Sequence, residues 1–175
     1  MQETAKITIG RAYAAEGRRR LASCHERIRH CLGQLNDNQV WWRPHESMNS
    51  IGNILLHLCG NVRQWIVCGI SGKTDSRNRP REFAERSLIP KADLIQRLDA
   101  VVQEADALLA GVTDEQLLQP RRIQGFDETV LSAIFDSVSH FNGHTQEIVY
   151  VTRLQLGSTY RLAWAPTTPE QGAAP

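Results

Sequence analysis

The sequence predicts an all-α protein built as a four-helix bundle, with a long loop between its second and third helices. Two observations carry this. Four long segments repeat apolar residues at helical spacing, and the stretches between them hold glycine, proline and short polar side chains. At 175 residues the chain suits one domain with a sizeable core. Four amphipathic helices around one apolar seam satisfy both conditions.

The first segment runs from about Thr4 to Leu35. Ala14, Leu21, Ile28 and Leu35 recur every seven residues, with Cys24 and Cys31 between them, which keeps one seam facing a partner helix. Gly10 and Gly17 weaken its early part. Asn36 to Gln39 and then Trp41-Trp42-Arg43-Pro44 form a connector. The second helix starts after Asn49 or Ser50, both good N-caps, and carries Ile51, Ile54, Leu55, Leu58, Val62, Trp65 and Ile66 toward Gly69. The loop from Ser71 to about Ile89 is rich in arginine and contains Gly72 and Pro80. Loops this long in a compact domain either cover something or move.

The third helix, about Lys91 to Ala110, repeats Leu94, Leu98, Val101, Ala105, Leu108 and Val112, and Gly111 is its stop. A connector with Pro120 and Gly125 follows, with a short extended piece around Arg121 to Gln124. The fourth helix runs from about Thr129, its N-cap, to Leu156, with Gly157 just beyond. Leu131, Ile134, Val138, Phe141, Ile148 and Thr152 mark its inner face. Residues 1–157 therefore read as one bundle domain. Residues 158–175 read as a tail whose last ten residues are expected to be disordered.

Charge and composition narrow the function classes. Twenty basic and 19 acidic residues leave a net charge of +1, too small a field to draw nucleic acid or anionic lipid. The run Arg18-Arg19-Arg20 reads as a solvated helix face. No apolar stretch approaches the roughly 20 residues that span a bilayer, and Met1-Gln2-Glu3 opens no secretion signal. Cys24, Cys31, Cys59 and Cys68 form no Cys-x-x-Cys pair and read as reduced, partly buried thiols. A cytoplasmic protein that handles a small molecule, without nucleic acid or membrane partners, is the expectation.

The histidines carry the chemistry. His140 and His144 are four residues apart, so on a helix they share a face about 6 Å from one another, within reach of one metal ion. Phe141 and Ile148 border the same stripe, which places the pair beside the core, and Asp136, one turn earlier, is a candidate to orient a ring nitrogen. His57 lies in the apolar run Ile54-Leu55-Leu56-His57-Leu58, with Asn61 one turn on. An imidazole there is most often a hydrogen-bonded core residue, but neighbouring or diagonal helices would let it meet the other two. Cys59 points about 200° away from His57 and drops out. His25, His30 and His45 read as surface residues. No hydrolytic triad, phosphate-cradling loop or Glu-x-x-His pair is present.

Trp42-Arg43-Pro44, the block from Asn49 to Asn61 around His57, and Ser139-His140-Phe141-Asn142-Gly143-His144-Thr145-Gln146-Glu147-Ile148 together resemble the signature of the DinB-like (DinB/YfiT) superfamily. The resemblance spans roughly residues 4 to 157. It implies a four-helix bundle, usually a homodimer, with His57, His140 and His144 as ligands of a divalent ion. Zinc or nickel is the expected ion, with iron or manganese as further candidates. It also implies thiol-dependent transferase or isomerase chemistry in some relatives, with a low-molecular-weight thiol as co-substrate. This chain departs from the pattern at Ser139, where relatives often carry an acidic residue, and after Thr145, where Gln146 follows without a glycine.

Two functions compete at this point. In one, the three histidines leave a coordination position open and the ion activates water or a thiol for hydrolase or thiol-transferase chemistry on a small molecule. The arginines of the Ser71 to Ile89 loop, Arg77, Arg79, Arg81 and Arg86, then cover the site and attract an anion, or else belong to a solvated linker. In the other, the protein is a non-catalytic metal-binding or stress-related helical binding protein.

Overall fold

The computed structural model describes residues 8–164. Helix α1 (Ile9–Leu32) starts where the Thr8 hydroxyl accepts from the Arg11 N–H. The expected turn from Thr4 and the tail beyond Trp164 lie outside the described residues. The connector is not irregular throughout. Asn36 and Gln39 form a reciprocal capping box that starts α2 (Asp37–Trp41). A second box between Ser50 and Asn53 starts α3 (Ile51–Val62). The helix then continues through a π-helical stretch, Arg63–Cys68, into α4 (Gly69–Ser71).

The long loop contains α5 (Arg79–Ala84), capped by the Asn78 side chain. Helix α6 (Lys91–Gly111) is followed by α7 (Asp114–Leu117). The expected extended piece is one strand of a hairpin, β1 (Pro120–Ile123) paired antiparallel with β2 (Phe126–Thr129). Gln124 and Gly125, at φ 52° and 87°, make the two-residue turn, in which both central residues take the left-handed conformation. Helix α8 (Val130–Leu156) completes the set, capped by Thr129 and Ser132. Among the described residues no helix is long and apolar enough to cross a membrane.

Side-chain pairs give the helix directions. Arg27 reaches Gln146 and Tyr13 reaches the Leu131 carbonyl, so α1 and α8 are parallel. Arg18 pairs with Asp106 and His25 with Asp99, so α6 runs against α1. His57 meets His140 and Asn61 meets Ser137, so α3 runs against α8. The four long helices close a ring in the order α1, α8, α3, α6. Helices α3 and α6 are therefore parallel neighbours, and the chain between them must return along the bundle.

The core takes Leu21, Ile28 and Leu32 from α1, Ile54, Leu55 and Leu58 from α3, Leu94, Leu98 and Leu109 from α6, and Phe141 from α8. Two expected inner positions are corrected by one residue each. Leu109, not Leu108, is buried on α6, and Val130, not Leu131, on α8. Adjacent residues sit about 100° apart on a helix, and where two apolar residues are neighbours the stripe's tilt selects between them. All four cysteines are unpaired, Cys24 and Cys31 buried and the other two half-buried.

Leu98 is fully enclosed, and Leu98→Ala is expected to lower the unfolding free energy by about 2–5 kcal/mol, measured by urea denaturation. A loss below about 1 kcal/mol would mean that the site collapses around the smaller side chain.

Candidate metal centre

The antiparallel packing of α3 on α8 brings the three predicted histidines together. His57 Nε2 lies 2.8 Å from His140 Nε2. The ring centroids are 5.0 Å apart for His57 and His140, 5.2 Å for His57 and His144, and 4.5 Å for His140 and His144. One nitrogen from each ring lies within 4.8 Å of the other two.

The outer nitrogens of two rings are engaged. His144 Nδ1 is 2.7 Å from Glu147 Oε2, three residues along the same helix. His57 Nδ1 is 2.9 Å from Glu82 Oε2 on α5. Glu147 only accepts, so His144 Nδ1 is its donor and His144 Nε2 faces the other two rings, while His57 Nδ1 lies between the acceptor Glu82 and the donor Arg77 Nη2, the latter 3.0 Å away. The carboxylate–histidine arrangement fixes tautomer and ring orientation and raises the basicity of the inner nitrogen.

Glu82 is itself held. Arg77 grips it with two donors, Nε to Oε1 at 2.7 Å and Nη2 to Oε2 at 2.9 Å. The pair is nearly dry, with side chains 4% and 11% exposed. Burial alone would raise the Glu82 carboxyl, but the hydrogen bonds and charges of Arg77 and His57 outweigh it and hold it below the usual carboxylate range.

Gly60 makes room for this. A Cβ there would fall 2.1 Å from Glu82 Oε1 and 2.8 Å from Arg77 Nε, so only glycine lets the ion pair lie flat on α3. Asn53, fully buried, ties the strap down by donating to the carbonyls of Glu82 and Glu85 at 2.9 and 3.1 Å. Arg43 donates to Asn53 Oδ1, and the Trp41 indole donates to the Ile89 carbonyl. The residues around Trp42-Arg43-Pro44 and Asn49 to Asn53 thus fasten the loop that carries Glu82. The Phe83 ring covers His57 at 4.7 Å between centroids, and the Arg79 guanidinium stacks 4.9 Å above Phe83.

Burial, reinforced by the neighbouring charges of His144, His57, Arg77 and Arg79, pushes the His140 imidazole down from 6.5 to about 4. The ring is neutral at physiological pH, the state a metal ligand requires. Two imidazole nitrogens facing each other at 2.8 Å, His57 Nε2 and His140 Nε2, need a proton or a cation between them. A point shared by the three donors lies within about 2.8 Å of each, against roughly 2.0–2.1 Å for a zinc–nitrogen bond. Side-chain shifts below an ångström therefore suffice, and the donor set fits a divalent transition metal.

A cavity of about 370 Å³ opens beside the cluster, with His57 and His140 on its wall together with Asn61, Trp65, Arg79, Gln124 and Asp136. The other candidates resolve as follows. Asn61 accepts from Ser137 Oγ at 2.8 Å and borders the cavity without touching a ring nitrogen. Asp136 is exposed on the cavity rim and does not hydrogen-bond His140. Cys59 lines a different cavity behind α5. His45 is exposed, but His25 and His30 are half-buried, the first against Asp99 and the second against the Arg161 carbonyl.

Glu82, Gly60 and Glu147 were not singled out as site residues by the sequence, and Arg77 was named only as one of four loop arginines expected to cover the site. Glu147 was legible as a carboxylate three residues after His144. Gly60 was visible as a glycine interrupting an apolar helix. Glu82 gave no local signal.

Fold and site together define a helical-bundle protein with a candidate three-histidine metal centre. The chain belongs to the family described as "Protein of unknown function (DUF1572)", which matches residues 8–167. It is also similar to a solved structure described as the conserved protein of locus from Enterococcus faecalis. That likeness has a TM-score of 0.70 and 18% identity over 87% of this chain and 99% of that one. At this identity the likeness shows the fold alone. No curated protein matches the chain.

Two outcomes test this geometry. In the metal-free protein His140 is expected to stay neutral down to about pH 4, followed by its ring-carbon NMR shifts. A base whose pKa falls on folding is protonated first in the unfolded chain, so the metal-free fold loses stability as pH drops from 6.5 through about 4. His140→Gln should flatten that part of the curve, and titration near 6.5 would contradict the assignment. Separately, Gly60→Ala and Glu82→Gln leave all three histidines in place, yet each should weaken metal binding by about 10–100-fold in chelator competition. Unchanged affinity in both would remove Glu82 from the site.

Proposed function

We propose that the chain is a cytoplasmic, metal-dependent enzyme of the DinB-like superfamily that acts on a small molecule. One observation carries the reading: three imidazoles offer nitrogens within 4.8 Å of one another, and two of them, His57 and His140, border an open cavity. Imidazole donors suit zinc, nickel or iron better than calcium or magnesium, which prefer oxygen. Manganese, also oxygen-preferring, is the least favoured of the expected ions. When bound, such an ion acts as a Lewis acid that lowers the pKa of water or of a low-molecular-weight thiol, which suits hydrolase or thiol-transferase chemistry.

The chain's own residues divide the remaining work. His57, His140 and His144 hold the ion, and Glu82 and Glu147 keep two of the rings in the tautomer that presents Nε2 inward. Phe83 excludes water from one side of His57. The arginines of the loop are not equivalent. Arg77 lines the cavity but is committed to Glu82, and Arg86 donates to the Phe83 and Glu85 carbonyls. Arg79 borders the cavity and is placed to attract an anionic group on the substrate. Asp136, on the rim, is the carboxylate placed to exchange protons with a bound molecule.

Metal analysis of the purified protein should find one ion per chain, and His144→Ala should lose it. A cobalt(II) form should change its visible spectrum when small thiols are added, and turnover should appear on screening activated electrophiles with those thiols. Absence of metal at any reasonable stoichiometry sinks the enzyme reading. A bound ion whose spectrum no thiol or small anion perturbs supports a non-catalytic metal-binding protein instead.

A further inference from the structure

The loop that carries Glu82 is fastened along one edge only. Its hydrogen bonds run to α3 and to the connector before it, through Asn53, Gln64, Arg43 and Trp41. Among the described residues no hydrogen bond or ion pair joins residues 75–89 to α6. Between that edge and α6 lies a cavity of about 630 Å³, a size that holds a small organic ligand.

The floor of this cavity is apolar. Leu56 and the Cys59 thiol from α3, Ala100 and Val101 from α6, and Ile89 from the loop line it. A free thiol packs as a small hydrophobe. The walls are charged, and the two signs are not equally free. Every carboxylate on them is engaged: Glu82 by Arg77, Asp75 by the Gln64 amide and the Arg77 N–H, and Glu85 by the Ser87 hydroxyl. The arginines are not all engaged. Arg77 holds Glu82, and Arg63 pairs with Glu104 at 3.0 Å. The guanidinium groups of Arg81 on α5 and Arg97 on α6 border the cavity with no hydrogen bond or ion pair among the described residues.

We propose that this slot binds a small organic anion, with its apolar body on Leu56, Ala100 and Val101 and its carboxylate or phosphate head between Arg81 and Arg97. A guanidinium presents paired donors that match either head. Such a ligand joins the loose edge of the loop to α6, a link that the chain itself does not make. The apolar floor favours an anion with a body over a bare inorganic ion, and the two arginines favour it over a neutral molecule. The slot is also separate from the metal centre. Only Arg77 lines both it and the cavity beside His57 and His140. The proposal therefore stands apart from the metal reading.

Titration calorimetry of the full chain with hexanoate and with hexyl phosphate tests this, with hexanol and inorganic phosphate as the neutral and bodiless controls. One of the two organic anions should bind at one per chain, and both controls at least about 10-fold more weakly. Whichever anion binds tighter identifies the head. Arg81→Gln and Arg97→Gln should each weaken binding by about 10-fold. Ala100→Trp, at an exposed position, should fill the slot and abolish it. Circular dichroism confirms that each variant is folded. Amide exchange across α5 should slow when the anion is bound, while that of α1 stays unchanged. His144→Ala should keep the full affinity, and its loss there would place the anion on the metal and overturn the proposal. Binding of neither anion overturns it too, as does a control that binds equally well or an affinity indifferent to all three slot substitutions. Binding without slower exchange in α5 overturns the bridge between loop and α6.

Discussion

Because α3 and α6 run side by side in the same direction, the chain must travel back along the bundle before the third long helix can begin. From Ile51 to Ser71 the outgoing helical run covers about 30 Å at 1.5 Å per residue. The return occupies residues 72–90, and its only stretch of helix is α5. That return path lies on α3. It delivers Glu82 and Arg77 to His57, Phe83 to the ring face and Arg79 to the cavity. At its far end Lys91 donates to the carbonyls of Leu32 and Leu35, which joins the start of α6 to the end of α1. A bundle of strictly alternating helices would need no such strap, and His57 would lack its carboxylate.

The strap is a polar structure laid over an apolar helix. An arginine and a glutamate both largely removed from water are costly unless every donor and acceptor is matched. Here Arg77 matches both oxygens of Glu82 and also reaches Gln64 in the π-helical stretch, while Glu82 accepts from His57. The ion pair is better understood as a specificity device than as a source of stability. It selects one position of the loop and holds Glu82 against His57 Nδ1. Gly60, Asn53 and Trp41 serve that position from below and from both sides.

The bundle was legible because apolar spacing survives in the residues themselves: Leu94, Leu98, Val101 and Ala105 read as a buried stripe and are one. The pair His140 and His144 was legible through the helical repeat, and Glu147 belongs to the same repeat. His57 was joined to the pair through the resemblance, since periodicity alone allowed α3 and α8 to be diagonal. Glu82 stayed hidden because its contact with His57 bridges 25 positions and depends on helix direction, a tertiary property that no local pattern encodes. The errors at Leu108 and Leu131 have a simpler origin. Each is one of two adjacent apolar residues, and only packing decides which turns inward.

None of the residues of α5 is fully buried, although two of them cover the site. Its attachment rests on hydrogen bonds and one ion pair, while the bundle beneath rests on enclosed leucines, isoleucines and Phe141. Segments held in this manner open at a small fraction of the global unfolding free energy. The molecule therefore has two separate clocks, a slow one for the bundle and a faster one for the strap. Opening of the strap exposes the outer side of His57 while the bundle beneath stays folded.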